Sequence, residues 1–227
     1  INFRYTVEEL RYIYDNADLK ALVYSADLEP LAEGALSAAP GIRAMARIDH
    51  SGTHDTAGSQ PGIKGAVNYE DALASASGSL DDILLADDDL MLLYTGGTTG
   101  MPKGVMWPHK SVFYAAMGGG GHFHPAGAIE QPEDIAVRAK EGFVVNGMAL
   151  APLMHGACWW YACIQLLAGG KVVLNPSHHL DGEEVWDIVA RERVNAVSIV
   201  GDAMAIPLID ALERNPGRWD LSCVFNV

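Results

Sequence analysis

The chain has 227 residues, 49% hydrophobic and 19% charged, a balance that supports a buried core and excludes a disordered chain. Its 15 basic and 29 acidic residues leave a formal net charge of −14, which repels nucleic acid and anionic lipid and sets both aside as main partners. No apolar run approaches the roughly 20 residues of an integral membrane segment, and the three cysteines, Cys158, Cys163 and Cys223, are too few and wrongly spaced for a disulfide framework or a zinc site.

Taken in order, Thr6 and Glu9 form a capping box for a first helix carrying Leu10, Ile13 and Ala17 at helical spacing. A short buried strand is expected at 21–24, a helix over 28–38 and a second strand over 44–48. Residues 51–65 are rich in Gly, Ser, Thr and Pro without periodicity, which predicts a surface loop. Three aspartates, Asp87, Asp88 and Asp89, then precede the all-apolar run 90–94, the pattern of a strand covered on both faces. A short strand at 105–107, a helix over 110–117, a glycine run at 118–121 and a short helix over 132–140 follow. Beyond these, strands expected at 143–150, 171–174 and 196–200 alternate with helices over 155–167, from a cap at Asp181, and over 202–212. The tail 223–227 reads as a further strand broken off midway, and the first residue is Ile1, so the expectation is a piece of a longer domain. Such alternation of near-continuous apolar strands with helices argues an α/β fold with a largely parallel sheet flanked by helices.

In sheets of this kind ligands sit beyond the carboxyl ends of strands. The segment after Tyr94 is Thr95-Gly96-Gly97-Thr98-Thr99-Gly100-Met101-Pro102-Lys103-Gly104. Glycines let consecutive backbone N–H groups approach an anion, threonine hydroxyls add donors, and Lys103 adds a mobile positive charge. That is the chemistry of triphosphate binding, above all where a leaving pyrophosphate gathers charge. The loop is not the common NTPase P-loop, because Lys103 is followed by Gly104 rather than Ser or Thr. It is not a dinucleotide fingerprint either, because a strand rather than a helix follows. On residue types alone a plain Gly-Thr hairpin joining two strands stays open beside the phosphate-binding reading.

The stretch 94–105 resembles the signature loop of the acyl-adenylate-forming superfamily, Y-T-S-G-T-T-G-x-P-K-G-V, and departs from it at Gly96, where Ser is commoner. Three further stretches are similar to that superfamily: 1–10 to its N-x-R and T-x-x-E-L segment, 151–156 to P-L-x-H-x-x-G, and 194–207 to its acyl-tunnel segment. The glycine run followed by Pro132-Glu133-Asp134 is similar to bacterial fatty-acid and steroid-side-chain CoA ligases. The resemblance implies a fragment, 1–227, of a large N-terminal AMP-binding domain whose own start and whose C-terminal domain lie elsewhere. It implies that ATP and a carboxylic acid form an acyl-AMP, which coenzyme A converts to the thioester. Thr95, Gly96, Gly97, Thr98, Thr99, Gly100 and Lys103 would hold the β- and γ-phosphates, with Mg2+ offsetting their charge, and His155 would gate nucleotide from acid. The alternatives are an adenylation domain loading a carrier protein and a non-catalytic nucleotide-binding module.

Apart from that resemblance His155 is an ordinary N-terminal helix histidine, and Trp159, Trp160 and Tyr161 are core-type residues, with Trp159 or Trp160 also able to face the acyl chain. The pairs His122/His124 and His178/His179 lack Cys or carboxylate at ligand spacing, so no metal site is expected. The Y-G-x-T-E and S-T-G-D segments of the superfamily are not in the sequence, which predicts that these residues alone are inactive. A cytoplasmic setting, and pairing with a second copy or a tendency to aggregate through an exposed sheet edge and apolar surface, complete the expectations.

Overall fold

Thr6 and Glu9 fix where the first helix begins. In the computed structural model, which describes residues 1–49, 62–80, 83–97, 100–121, 124–141, 143–177 and 179–227, the Thr6 N–H donates to Glu9 Oε2 at 2.8 Å and the Glu9 N–H to Thr6 Oγ1 at 3.3 Å. The reciprocal bonds satisfy donors that a helix start leaves open, and α1 runs Val7–Asn16 with Leu10, Ile13 and Tyr14 inward. The chain divides into two units, Ile1–Ala86 with Leu92–Met106, and Asp87–Met91 with Trp107–Val227.

In the first unit, β1 (Ala21–Ser25), β2 (Ala44–Ile48) and β3 (Val67–Asn68) pair in parallel in that order. The helix expected over 28–38 is α2 (Glu29–Ala35) between two 3-10 turns, Ala26–Leu28 and Leu36–Ala38. Leu10, Tyr14, Leu22, Tyr24, Ala32, Ala35 and Ile63 form the core between helices and sheet. Helix α3 (Tyr69–Ser75) follows β3 directly. The loop expected over 51–65 lies, up to residue 61, outside the described residues.

Strands β4 (Leu90–Gly97) and β5 (Gly100–Pro108) form a separate two-stranded sheet. Helix α4 (His109–Ser111) continues as a π-helical turn, Val112–Ala116, where a single helix was expected. After α5 (Ile135–Glu141) come β6 (Asn146–Ala149), α6 (Gly156–Leu167), β7 (Lys171–Leu174), α7 (Gly182–Glu192), β8 (Ala196–Ser198) and α8 (Asp202–Arg214). The sheet order is β7-β6-β8, all parallel, so Met148 of the central strand faces Val173 on one side and Val197 on the other. With Val185, Trp186, Ile188, Val189, Leu208 and Ala211 these residues make the core of the second unit. The strand expected over 143–150 is shorter, with Phe143 and Val144 exposed. The one expected from residue 223 is a single parallel bridge, Ala196 to Asn226, held by Phe225 N–H to Asn195 O at 2.9 Å and Val197 N–H to Asn226 O at 3.0 Å.

Asp181 caps α7, its Oδ1 accepting from the N–H groups of Glu183 at 2.8 Å and Glu184 at 3.3 Å, and Arg193 ends the helix in a left-handed conformation. The apolar stripe of α7 lies against α8, where Trp186 Nε1 donates to the Leu208 carbonyl at 2.9 Å. No helix among the described residues is long and apolar enough to cross a membrane.

Helix α6 covers β6 through Tyr161, whose hydroxyl donates to Ala196 O at 2.9 Å. Burial first, then the nearby Cys158 thiol, pushes the Tyr161 hydroxyl up to about 12. An unfolded chain ionises this group at about 10, so its contribution to stability is whole below that pH and is lost as pH rises through the folded value. Tyr161→Phe should therefore flatten the decline in melting temperature between about pH 10 and 12 relative to wild type. Equal slopes for the two proteins in pH-dependent melts would refute the assignment.

Candidate functional site

The described face of the glycine-rich loop is built by the β4–β5 ribbon. Its open end is closed by His109 N–H to Asp89 O at 2.8 Å and Lys110 N–H to Asp87 O at 3.1 Å, with Lys110 Nζ reaching Asp87 Oδ2 at 3.1 Å. The pairing advances on one strand as it retreats on the other, so the ribbon is antiparallel. The run 90–94 does form a strand, but it is not covered on both faces: Leu90 is 52% and Leu92 41% exposed. Among the described residues its only sheet partner is β5.

Three glycines of the loop do three different things. Gly96 faces open space, a Cβ there meeting nothing within 4 Å. Gly100 is equally open and takes φ +146°, a conformation that favours glycine. Gly104 is closed in, because a Cβ on it would lie 3.1 Å from the Tyr94 ring. Strand alternation then turns Pro102 inward and Lys103 outward. Thr95 and Lys103 are exposed, and among the described residues no carboxylate pairs with the Lys103 ammonium. Thr98 and Thr99 lie outside the described residues. The described part is thus a strip of accessible glycine backbone beside an uncommitted cation on an otherwise acidic chain, a surface suited to an anion.

His155 belongs to the second unit, Lys103 to the first. His155 is the N-cap residue of α6, exposed, with no side-chain bond to the helix start. Its backbone does the capping work, as Trp159 N–H donates to His155 O at 3.1 Å. Within the same unit Trp160, partly buried, packs edge-on to Trp107 with centroids 5.3 Å apart, and the buried residues of this helix are Cys158, Ala162 and Gln165. Cys163 and Cys223 are also free thiols, and burial pushes Cys163 up.

His124 Nδ1 accepts from the Ala126 N–H at 3.1 Å and lies 2.9 Å from Arg138 Nη1, which can only donate, while its Nε2 lies 3.9 Å from Glu141 Oε2. No group of three or more potential metal ligands occurs among the described residues, and His122 and His178 lie outside them. Sequence reading missed Gln165, fully buried on α6 with neither amide atom partnered among the described residues. It also missed a bond from the Tyr94 hydroxyl to Asn16 Oδ1 at 2.6 Å. A separation of 78 residues leaves no local signal for that bond.

With this geometry in hand, comparison with known proteins gives a consistent result. Residues 1–218 match the family of AMP-binding enzymes. The medium-chain acyl-CoA ligase Mig of Mycobacterium avium is 39% identical over 219 residues, covering 94% of this chain and 38% of that protein. The 3-oxocholest-4-en-26-oate–CoA ligase of Rhodococcus rhodochrous is 36% identical, covering 99% of this chain and 40% of that protein. The chain therefore spans about two-fifths of the length of these relatives, 38% and 40%. Among solved structures, the anthranilate CoA ligase AuaEII in complex with anthranoyl-AMP has a TM-score of 0.69 at 22% identity over 99% of this chain and 38% of that one, a likeness of fold.

Proposed function

This chain belongs to the AMP-binding enzyme family, and we propose that the whole protein activates a fatty or steroid-side-chain carboxylic acid with ATP and passes it to coenzyme A. In the first step a carboxylate oxygen attacks the α-phosphorus of ATP, the bond to the bridging oxygen breaks, and pyrophosphate leaves. In the second, the thiol sulfur attacks the acyl carbon, AMP departs with the bonding pair, and the thiol proton is released. The observation that carries the reading is the exposed Lys103, without a carboxylate partner among the described residues, on the same ribbon as the open Gly96 and Gly100. The substrate class rests on relatives named for medium- and long-chain fatty acids and 3-oxocholest-4-en-26-oate.

In this reading Thr95, Gly96, Gly97, Gly100 and Lys103 hold the β- and γ-phosphates, and Thr98 and Thr99 join them on sequence alone. Little covalent work falls to the protein, so catalysis is positioning and charge stabilisation. Mg2+ fits as an ion carried in on the triphosphate, since the described residues offer no carboxylate cluster of their own for it. His155, exposed at the start of α6, is the residue this reading sets at the border of the acid. In this reading the reaction belongs to the cytoplasm, where the proposed co-substrates ATP and coenzyme A are found.

The test is acid-dependent exchange of labelled pyrophosphate into ATP by the full-length protein, over a panel of fatty, steroid and aromatic acids. Exchange with fatty or steroid acids, followed by thioester formation with coenzyme A, is expected, and residues 1–227 alone should give none. Thioester on a carrier protein but not on coenzyme A would point to a carrier-loading domain. ATP binding without exchange for any acid would point to a non-catalytic nucleotide-binding module.

A further inference from the structure

We infer that Asn16 is a positioning residue for the glycine-rich loop, holding the Tyr94 hydroxyl while the Tyr94 ring packs on Gly104, so that α1 braces both strands from which the loop springs. The inference rests on the phosphate-binding reading of that loop, and all its contacts lie within the first unit.

Tyr94 stands immediately before Thr95, and Gly104 immediately after Lys103, so the two residues bracket the loop. Their contact is a close one: an ideal Cβ on Gly104 would sit 3.1 Å from Tyr94 Cζ and 3.3 and 3.4 Å from the two Cε atoms. Glycine at 104 is what lets the ring lie across the backbone there. A ring in that place is still free to swing about its own side-chain torsions. The bond from its hydroxyl to Asn16 Oδ1 at 2.6 Å removes that freedom. Asn16 can serve as an anchor because it ends a helix whose start is fixed by the Thr6–Glu9 capping box and whose inner face, Leu10, Ile13 and Tyr14, is buried. Burial first, and the neighbouring Tyr12, push the Tyr94 hydroxyl up, so it stays a donor at neutral pH. The bond lies on the exposed side of the unit, where its loss is felt locally rather than by the whole core.

Two variants of the full-length protein remove the bond in different ways: Tyr94→Phe keeps the ring on Gly104, and Asn16→Ala keeps the hydroxyl. Asn16→Asp retains an acceptor and serves as the rescue. Hydrogen exchange of the ribbon amides, residues 92–97 and 100–106, is compared first without ATP. Either bond-breaking variant should speed exchange there roughly fivefold, the factor an ordinary net hydrogen bond is worth, and leave α7 amides unchanged. In the pyrophosphate assay the KM for ATP should rise by a similar factor, roughly fivefold, with kcat nearly kept. Asn16→Asp should restore both readings, and the double variant should be no worse than either single one. Unchanged ribbon exchange overturns the brace. So does a uniform speeding of exchange across the protein with an unchanged KM for ATP, which would mark the bond as merely structural. Because the exchange comparison is made without nucleotide, it decides the brace even if the wild type activates no acid, a result that would instead overturn the function proposed above.

Discussion

Lys103→Ala in the full-length protein should lower acid-dependent pyrophosphate exchange by about 100- to 1,000-fold, the usual consequence of removing one charge-stabilising donor from a reacting centre. That corresponds to about 2.7–4 kcal/mol of lost transition-state stabilisation. The expectation follows from where the side chain stands. Lys103 is exposed on β5 and has no carboxylate partner among the described residues. Its charge is therefore free for a ligand, and its removal should leave the melting temperature within about 1–2 °C of wild type, as for an ordinary surface substitution. Lys103→Arg should recover only part of the activity, because a planar fork cannot copy a compact ammonium with three rotatable donors. A loss of less than about threefold on Lys103→Ala would remove this residue from the phosphate site, since that is below the range for any charge-stabilising donor.

A large effect on stability should come from Gly182→Ala at the start of α7. A methyl group there would sit 2.2 Å from the Pro207 carbonyl oxygen and 2.9 Å from the Ala211 Cβ. Neither obstacle can rotate away, because one is backbone and the other is the first side-chain carbon of a buried residue. Relief requires α7 and α8 to move apart, which loosens Val185, Trp186, Val189, Leu208 and Ala211 together. Overpacking of this kind costs about 1–3 kcal/mol or more, and the better helix propensity of alanine returns at most about 1 kcal/mol. The net is a destabilisation of about 1–2 kcal/mol, read as a lower urea midpoint with an unchanged slope. Gly96→Ala is the control, since a Cβ at Gly96 meets nothing within 4 Å. If both variants melt alike, the helix contact is looser than drawn and the argument fails.

Gly182 also shows where sequence reading stops. Asp181 and Glu184 announce the helix start, and Asp181 does accept from the N–H groups of Glu183 and Glu184. The same was true of Thr6 and Glu9. Capping is legible because its partners lie within three residues of one another. Gly182, the first residue of the helix, matters however because of Pro207, and no local pattern carries that. The run 90–94 illustrates a second limit. Its apolar composition gives the strand correctly, but composition states only that residues gain from burial, not what buries them, and Leu90 and Leu92 stand exposed here. At the candidate site the residue types that suit an anion, glycine and a cation, stand together in one stretch of the sequence. The Tyr94–Asn16 bond was not legible there, for it joins residues 78 positions apart.

The order of strands in the two parallel sheets has a consequence for a chain still leaving the ribosome. In the β1-β2-β3 sheet each strand pairs with the one made just before it. In the β7-β6-β8 sheet the central strand, β6, is made first, and β7 and then β8 add to its two sides. Once the first strand of each sheet has been made, every later strand emerges with a partner already synthesised. Structure can therefore accumulate in the direction of translation, and each later apolar strand finds an edge ready to receive it, which shortens the time it stands open to other chains in a crowded cell.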